Sequence, residues 1–253
     1  MLGFLKPRLP LVAELQEWVD DSFVRLAELL GSELMLNARV LRPTQEDFPD
    51  TYDGSEESLT RMLNRVAEAM LVDAGEIEVT LFSEDGDMIR NLMPFYSGKS
   101  AGAAGLYYHD PRSRPQISIN ETQLKNPDSL VATLAHELGH ILLLRPGLVG
   151  RDERDMEPLT DLVTVFLGLG VFTANSAFQF KQFTGVQSQG WSTRRQGYLS
   201  EEMFGYALAR FAYERGESKP EWTSYLATNI ASYFRQSMRW LHATAAPQLT
   251  GRA

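Results

Sequence analysis

The first third of the chain carries apolar residues at helical spacing. In residues 11–30 they recur every three or four positions until Gly31, and in residues 56–71 the same spacing returns. Such a stripe is typical of a helix that buries one face against a core. We therefore predict two amphipathic helices, joined by an irregular connection over residues 42–55, which contain two prolines.

Alternation of apolar and polar residues replaces this spacing in the next part of the chain. Residues 77–81 alternate strictly, and residues 106–109 and Gln116–Asn120 have strand patterns on either side of a proline-containing turn. These segments predict a small sheet. Residues 97–105 are rich in Gly, Ala and Ser but lack the spacing of a phosphate-binding loop, so they predict a surface loop.

Helical signals dominate from Asn126 onward. Asn126 can cap a helix at whose first position Pro127 fits, and Ser200 can cap a later one. The predicted helices cover residues 126–145, 158–178, 200–215 and 220–243. The second of them contains Gly168 and Gly170, where we expect it to bend or weaken.

These elements together predict a protein of the α+β class. The chain has 253 residues, of which 43% are hydrophobic, enough to bury a substantial core. We predict a single domain over residues 1–253. Its N-terminal lobe, residues 1–150, would hold the small mixed sheet, and its C-terminal lobe, residues 151–253, would be helical.

Charge and cysteine content exclude several classes of function. A net charge of −9 disfavours nucleic acid and anionic membranes as partners, because both attract basic surfaces. The absence of cysteine excludes disulfides, thiolate metal sites and cysteine nucleophiles. No segment has the pattern of a signal peptide or a membrane span, so we expect a cytoplasmic protein.

The sequence His-Glu-Leu-Gly-His at residues 136–140 carries the clearest chemical signal. On a helix, His136 and His140 lie one turn apart on the same face, where both imidazoles can approach one zinc ion. Glu137 is rotated from His136 by roughly 100°, beside the metal but not bound to it. The alternative is a pair of structural histidines without a metal. The spacing and the uncharged neighbours favour a zinc site.

A third ligand is needed, and an acidic segment follows the two histidines. Glu157 and Asp161 are again four residues apart, at the start of the next predicted helix. Pro158 requires that helix to begin near Glu157. Asp161 or Asp155 could therefore take the position of third ligand in place of Glu157.

This pattern, over residues 105–172, resembles the gluzincin clan of zinc metallopeptidases, in which HExxH is followed by Glu-x-x-x-Asp. The resemblance implies a zincin-like fold, with the HExxH helix in the N-terminal lobe and one zinc ion held by His136, His140 and Glu157. Asp161 would then hydrogen-bond to His136. It also implies that the strand Gln116–Asn120 pairs with an extended substrate. A position inside the sheet is the alternative for that strand.

We accordingly predict a zinc metallopeptidase that acts on a peptide or protein substrate. Glu137 would be the general base that takes a proton from water. The candidates for stabilising the oxyanion are Tyr107, Tyr108, His109, Tyr198 and His242. A non-catalytic zincin-like protein that binds a metal or a partner is the alternative, but such a protein has no need of Glu137 as a base.

Overall fold

The computed structural model describes residues 7–82, 105–108, 114–144, 148–150, 153–183 and 198–249, with only the backbone described for 105–108 and 178–183. These residues form eight α-helices and three strands, which is a mostly helical α+β architecture. In chain order the elements are α1 Ala13–Leu30, α2 Ser32–Asn37, α3 Glu56–Ala69, β1 Glu78–Phe82, β2 Gly105–Tyr108, β3 Gln116–Asn120, α4 Pro127–Leu143, α5 Met156–Phe166, α6 Gly170–Phe183, α7 Glu201–Glu214 and α8 Thr228–Thr244.

The sheet is mixed, in the order β1-β3-β2. β3 pairs in parallel with β1, Ile117 opposite Val79, and antiparallel with β2, Ile117 opposite Tyr107. Four of the five β3 residues are buried, as expected for a central strand covered on both faces. The implied pairing of Gln116–Asn120 with a substrate is therefore wrong, because both edges of this strand are already occupied.

The predicted helix over residues 158–178 is in fact two helices, α5 and α6. Gly168 separates them with a φ of 88°, a left-handed value that glycine adopts readily. A Cβ at this position would lie 2.3 Å from the carbonyl oxygen of Arg39, so no other residue fits. The backbone oxygen of Gly168 accepts a hydrogen bond from Leu41 N–H at 2.9 Å, which ties α5 to the N-terminal segment.

One hydrophobic cluster runs from Leu15 to Leu241 and includes residues of all the described helices. The HExxH helix, α4, lies at its centre, since every residue from Ser129 to Leu143 is buried. Helix α4 contacts α3, α5, α6 and the strand β2. The protein thus places the HExxH sequence in its interior, and the division into two lobes stays a prediction.

Outside α4, most helices begin and end close to the positions that the sequence predicts, with a few differences. The Ser200 hydroxyl accepts from Met203 N–H, as predicted for a cap of α7. The predicted helix at 220–243 begins with a short 3-10 turn, Glu221–Tyr225, before α8. The predicted loop at 97–105 lies outside the described residues except for Gly105. None of the described helices is long and apolar enough to cross a membrane.

Candidate metal centre

Helix α4 starts where the sequence predicts. The side chain of Asn126 accepts a hydrogen bond from Ser129 N–H at 3.2 Å, and Pro127 occupies the first helical position, where its missing N–H costs nothing. From this start, His136, Glu137 and His140 reach the buried middle and end of the helix, with exposures of 2%, 5% and 8%.

Gly139, inside the motif, lets α5 approach α4 closely. A Cβ on Gly139 would lie 2.9 Å from Cγ2 of Thr160 and 3.2 Å from Cγ1 of Val163, distances at which one neighbour must move. The glycine therefore sets how near the side chains of α5 come to the two histidines.

Helix α5 begins at Met156, so Glu157 is its second residue and Pro158 lies in the first turn, where proline is tolerated. The preceding Asp155 accepts a hydrogen bond from the indole N–H of Trp18 at 2.9 Å. Asp155 is therefore held toward α1, whereas Glu157 is the acid that meets the histidines.

His136, His140 and Glu157 bring one ligand atom each to within 4.8 Å of one another. Oε2 of Glu157 lies 3.1 Å from Nε2 of His136 and 3.5 Å from Nε2 of His140, and the two Nε2 atoms are 3.2 Å apart. The Glu157 side chain is 39% exposed, so solvent reaches the cluster on the side of this carboxylate.

The opposite nitrogen of each imidazole contacts α5. Nδ1 of His136 lies 2.9 Å from Oδ1 of Asp161, and Oδ2 of the same carboxylate accepts from Leu199 N–H at 2.8 Å. Nδ1 of His140 lies 3.2 Å from Oγ1 of Thr160. One helix thus supplies the acid of the cluster and the outer partners of both histidines.

Charges in the cluster shift the proton affinities of its members. Burial disfavours the charged imidazole of His136, but its hydrogen bonds to Asp161 and Glu157 raise its pKa well above the ordinary value of 6.5. Burial also opposes ionisation of Glu157, yet the hydrogen bonds from both histidines hold its pKa below 4.5. Burial raises the pKa of Glu137, the change that makes a carboxylate a better base.

The donor set fits a zinc ion. Because Asp161 is a carboxylate, His136 donates to it through Nδ1–H, so Nε2 is the nitrogen that can give up its proton and bind a metal ion. This Nε2 faces the carboxylate of Glu157 and Nε2 of His140, so the three atoms need either a shared proton or a cation between them. Two imidazole nitrogens and one carboxylate oxygen are a common protein ligand set for zinc.

The five predicted oxyanion donors fall in different places. Tyr198 lies at the cluster, with its ring centroid 5.0 Å from that of His136. His242 is on α8, where it is exposed and packs against Tyr213. Only the backbone of Tyr107 and Tyr108 is described, in β2, and His109 lies outside the described residues.

Two parts of the site are missing from the sequence-based prediction. Thr160 follows Glu157 by three residues, a spacing that places both on one side of a helix. This spacing is the sequence feature that indicates Thr160 as a neighbour of the cluster. The backbone N–H of Leu199 had no such signal, because 38 residues separate it from Asp161.

Comparison with known proteins does not assign the chain. No protein-family model matches it, and neither the curated proteins nor the solved structures contain a match. The geometry of the site is therefore the basis for the function proposed below.

Proposed function

We propose that this protein is a zinc-dependent metallopeptidase with a zincin-like site, as the resemblance to the gluzincin clan implies. The observation that carries the proposal is the convergence of three possible ligand atoms, from His136, His140 and Glu157, with the buried Glu137 next to His136 on α4. The Nδ1–H groups of both histidines point away from the cluster, toward Asp161 and Thr160, so the interior of the cluster suits a cation.

In this proposal each residue has one task. His136, His140 and Glu157 hold the metal, and Asp161 fixes the tautomer and orientation of His136. A bound zinc ion would supply Lewis acidity toward water and toward a substrate carbonyl. Glu137 takes up a proton and returns it to the leaving amine, a task that its raised pKa supports. Tyr198, beside His136, is the retained candidate for stabilising the oxyanion.

The sheet suggests where an extended substrate would bind. β3 is internal, whereas β2 lies at one edge of the described sheet and contacts α4. Strand addition to β2 would therefore place a peptide along the helix that carries Glu137.

Metal content of the purified protein tests the proposal most directly. We expect about one zinc per chain, lost in His136→Ala and kept in His242→Ala, whose histidine lies on α8 away from the described cluster. Protein that neither contains zinc nor takes it up at neutral pH would refute the proposed metal site.

The catalytic part has its own test, with Glu137→Gln. This variant should bind zinc like the wild type, because Glu137 is not among the three converging residues. It should lose cleavage of a mixed peptide library, followed by mass spectrometry. Unchanged cleavage would exclude Glu137 as the base, and a zinc-loaded wild type without any cleavage would favour a non-catalytic metal protein.

A further inference from the structure

We infer that Thr160 positions His140 by fixing which of its ring nitrogens carries the proton, an inference that rests on the proposed zinc site. Thr160 is fully buried and its Oγ1 lies 3.2 Å from Nδ1 of His140. It is a positioning residue, because it contacts the imidazole and not the three converging ligand atoms.

The direction of the hydrogen bond follows from counting protons. A threonine hydroxyl has a single proton, and Thr160 donates it to the backbone oxygen of Met156 at 2.8 Å. Toward His140 the hydroxyl therefore presents a lone pair and can only accept. Nδ1 of His140 must therefore carry a proton, which leaves Nε2 as the nitrogen available to an ion in the cluster.

Thr160 and Asp161 thus have the same role, each toward one histidine of the cluster. Asp161 accepts from Nδ1–H of His136, and Thr160 accepts from Nδ1–H of His140, so both Nε2 atoms are available to one ion. Since the two residues are consecutive on α5, any shift of this helix moves both partners together.

The threonine is also held rigidly. Its branched side chain has few rotamers within a helix, and Cγ2 lies against the surface of α4 that Gly139 leaves open. The packing of the methyl group therefore fixes the position of the Thr160 hydroxyl, and the hydroxyl in turn orients the imidazole of His140. A serine retains the hydroxyl without the methyl, whereas a valine retains the shape without the hydroxyl.

This difference supplies the experiment. Zinc affinity is measured by chelator competition for wild type, Thr160→Val, Thr160→Ser and the control Thr164→Val. Thr164 is a buried threonine on the same helix, whose hydroxyl bonds the backbone oxygen of Asp161 and the hydroxyl of Thr173. We expect Thr160→Val to lose about 10- to 100-fold in affinity, the usual cost of removing an outer partner of a metal ligand.

Thr160→Ser should recover most of that loss, and Thr164→Val should bind zinc as the wild type does. Equal affinities for wild type and Thr160→Val would overturn the inference while leaving the zinc site intact. A wild type that binds no zinc would instead refute the proposed function itself.

A second readout does not depend on the variants folding. In the zinc-loaded wild type, ¹⁵N chemical shifts of the imidazoles distinguish a protonated Nδ1 from a protonated Nε2. We expect Nδ1–H on His140. A protonated Nε2 on this residue would contradict the role of Thr160 whatever the affinities are.

Discussion

Two buried aspartates use their carboxylates in opposite ways. Asp47 has no exposed surface and binds two guanidiniums, those of Arg39 and Arg42, together with the backbone N–H of Arg42. Asp161, 2% exposed, binds the imidazole of His136 and the backbone N–H of Leu199. Both carboxylates bind hydrogen-bond donors, but only Asp161 binds a side chain that can also be a metal ligand.

The difference lies in the donors. A guanidinium is permanently charged and presents only donors, so the cluster around Asp47 contains the positive charge it needs. A neutral imidazole that donates through Nδ1 presents a lone pair on its other side, so Asp161 directs a potential metal-binding nitrogen of His136 into the cluster. A buried carboxylate alone therefore does not indicate a functional site. The donor that it binds is more informative, because an imidazole can also bind a metal ion and a guanidinium cannot.

The largest effect should come from Glu157→Ala, which removes one of the three converging atoms. We expect zinc affinity to fall by more than about a hundredfold, because losing a ligand costs more than losing an outer partner. Chelator competition measures the change.

Asp155→Asn is the matched control for this variant. Asp155 is two residues away but accepts from Trp18, so its replacement should leave zinc affinity nearly unchanged. The reverse result, with Asp155→Asn impaired and Glu157→Ala intact, would make Asp155 the third ligand.

Asp47→Asn should separate stability from metal binding. Removal of the charge leaves two guanidiniums without their buried partner, and we expect a loss of about 2 kcal/mol in the free energy of unfolding. Urea denaturation measures this loss. Zinc affinity of the folded variant should match the wild type, and a large fall in affinity would show that the two clusters are not independent.

Gly139→Ala tests the spacing of α4 and α5. The added Cβ would contact Thr160 and Val163 too closely, so we expect a loss of roughly 1 to 2 kcal/mol from overpacking and weaker zinc binding. Gly150→Ala is the control, because a Cβ there meets nothing within 4 Å. Thermal unfolding that is equal for the two variants would contradict the close contact of the helices.

The smallest expected effect is the change at acidic pH in the stability that Asp47 contributes. Burial disfavours the charged form of Asp47, but the hydrogen bonds from Arg42 and Arg39 outweigh burial and lower its pKa below the ordinary value of 3.8. The carboxylate therefore contributes its full stability above pH 3.8 and loses it as the pH falls through the lower, folded-state value. The stability difference between wild type and Asp47→Asn should shrink in that range, and a difference that persists there would contradict a lowered pKa.

Local signals explain what the sequence predicts correctly. The caps Asn126 and Ser200 act within three residues, and the pair His136 and His140 needs only one helical turn. The sequence does not predict the short helix α2, because the apolar stripe ends at Gly31, whereas the backbone turns at this glycine and continues into a second helix.

Features that depend on distant partners could not be predicted. The sequence predicts a weakened helix at Gly168 but not the complete break, whose left-handed glycine is packed so closely against the distant carbonyl of Arg39 that no side chain fits. The central position of β3 depends on β1 and β2, whose pairing the alternation within each strand does not specify. The selection of Glu157 over Asp155 likewise required Trp18, 137 residues before Asp155.

The bond between Trp18 and Asp155 has an optical consequence. The indole N–H is 2.9 Å from a carboxylate that stands two residues before Glu157, so a movement of this segment changes the surroundings of a fluorophore. Emission from Trp18 should therefore respond when the cluster takes up an ion, and the difference from Trp18→Phe isolates that response from the other tryptophans. Trp18 would then serve as an intrinsic fluorescent reporter of ion binding at the proposed site.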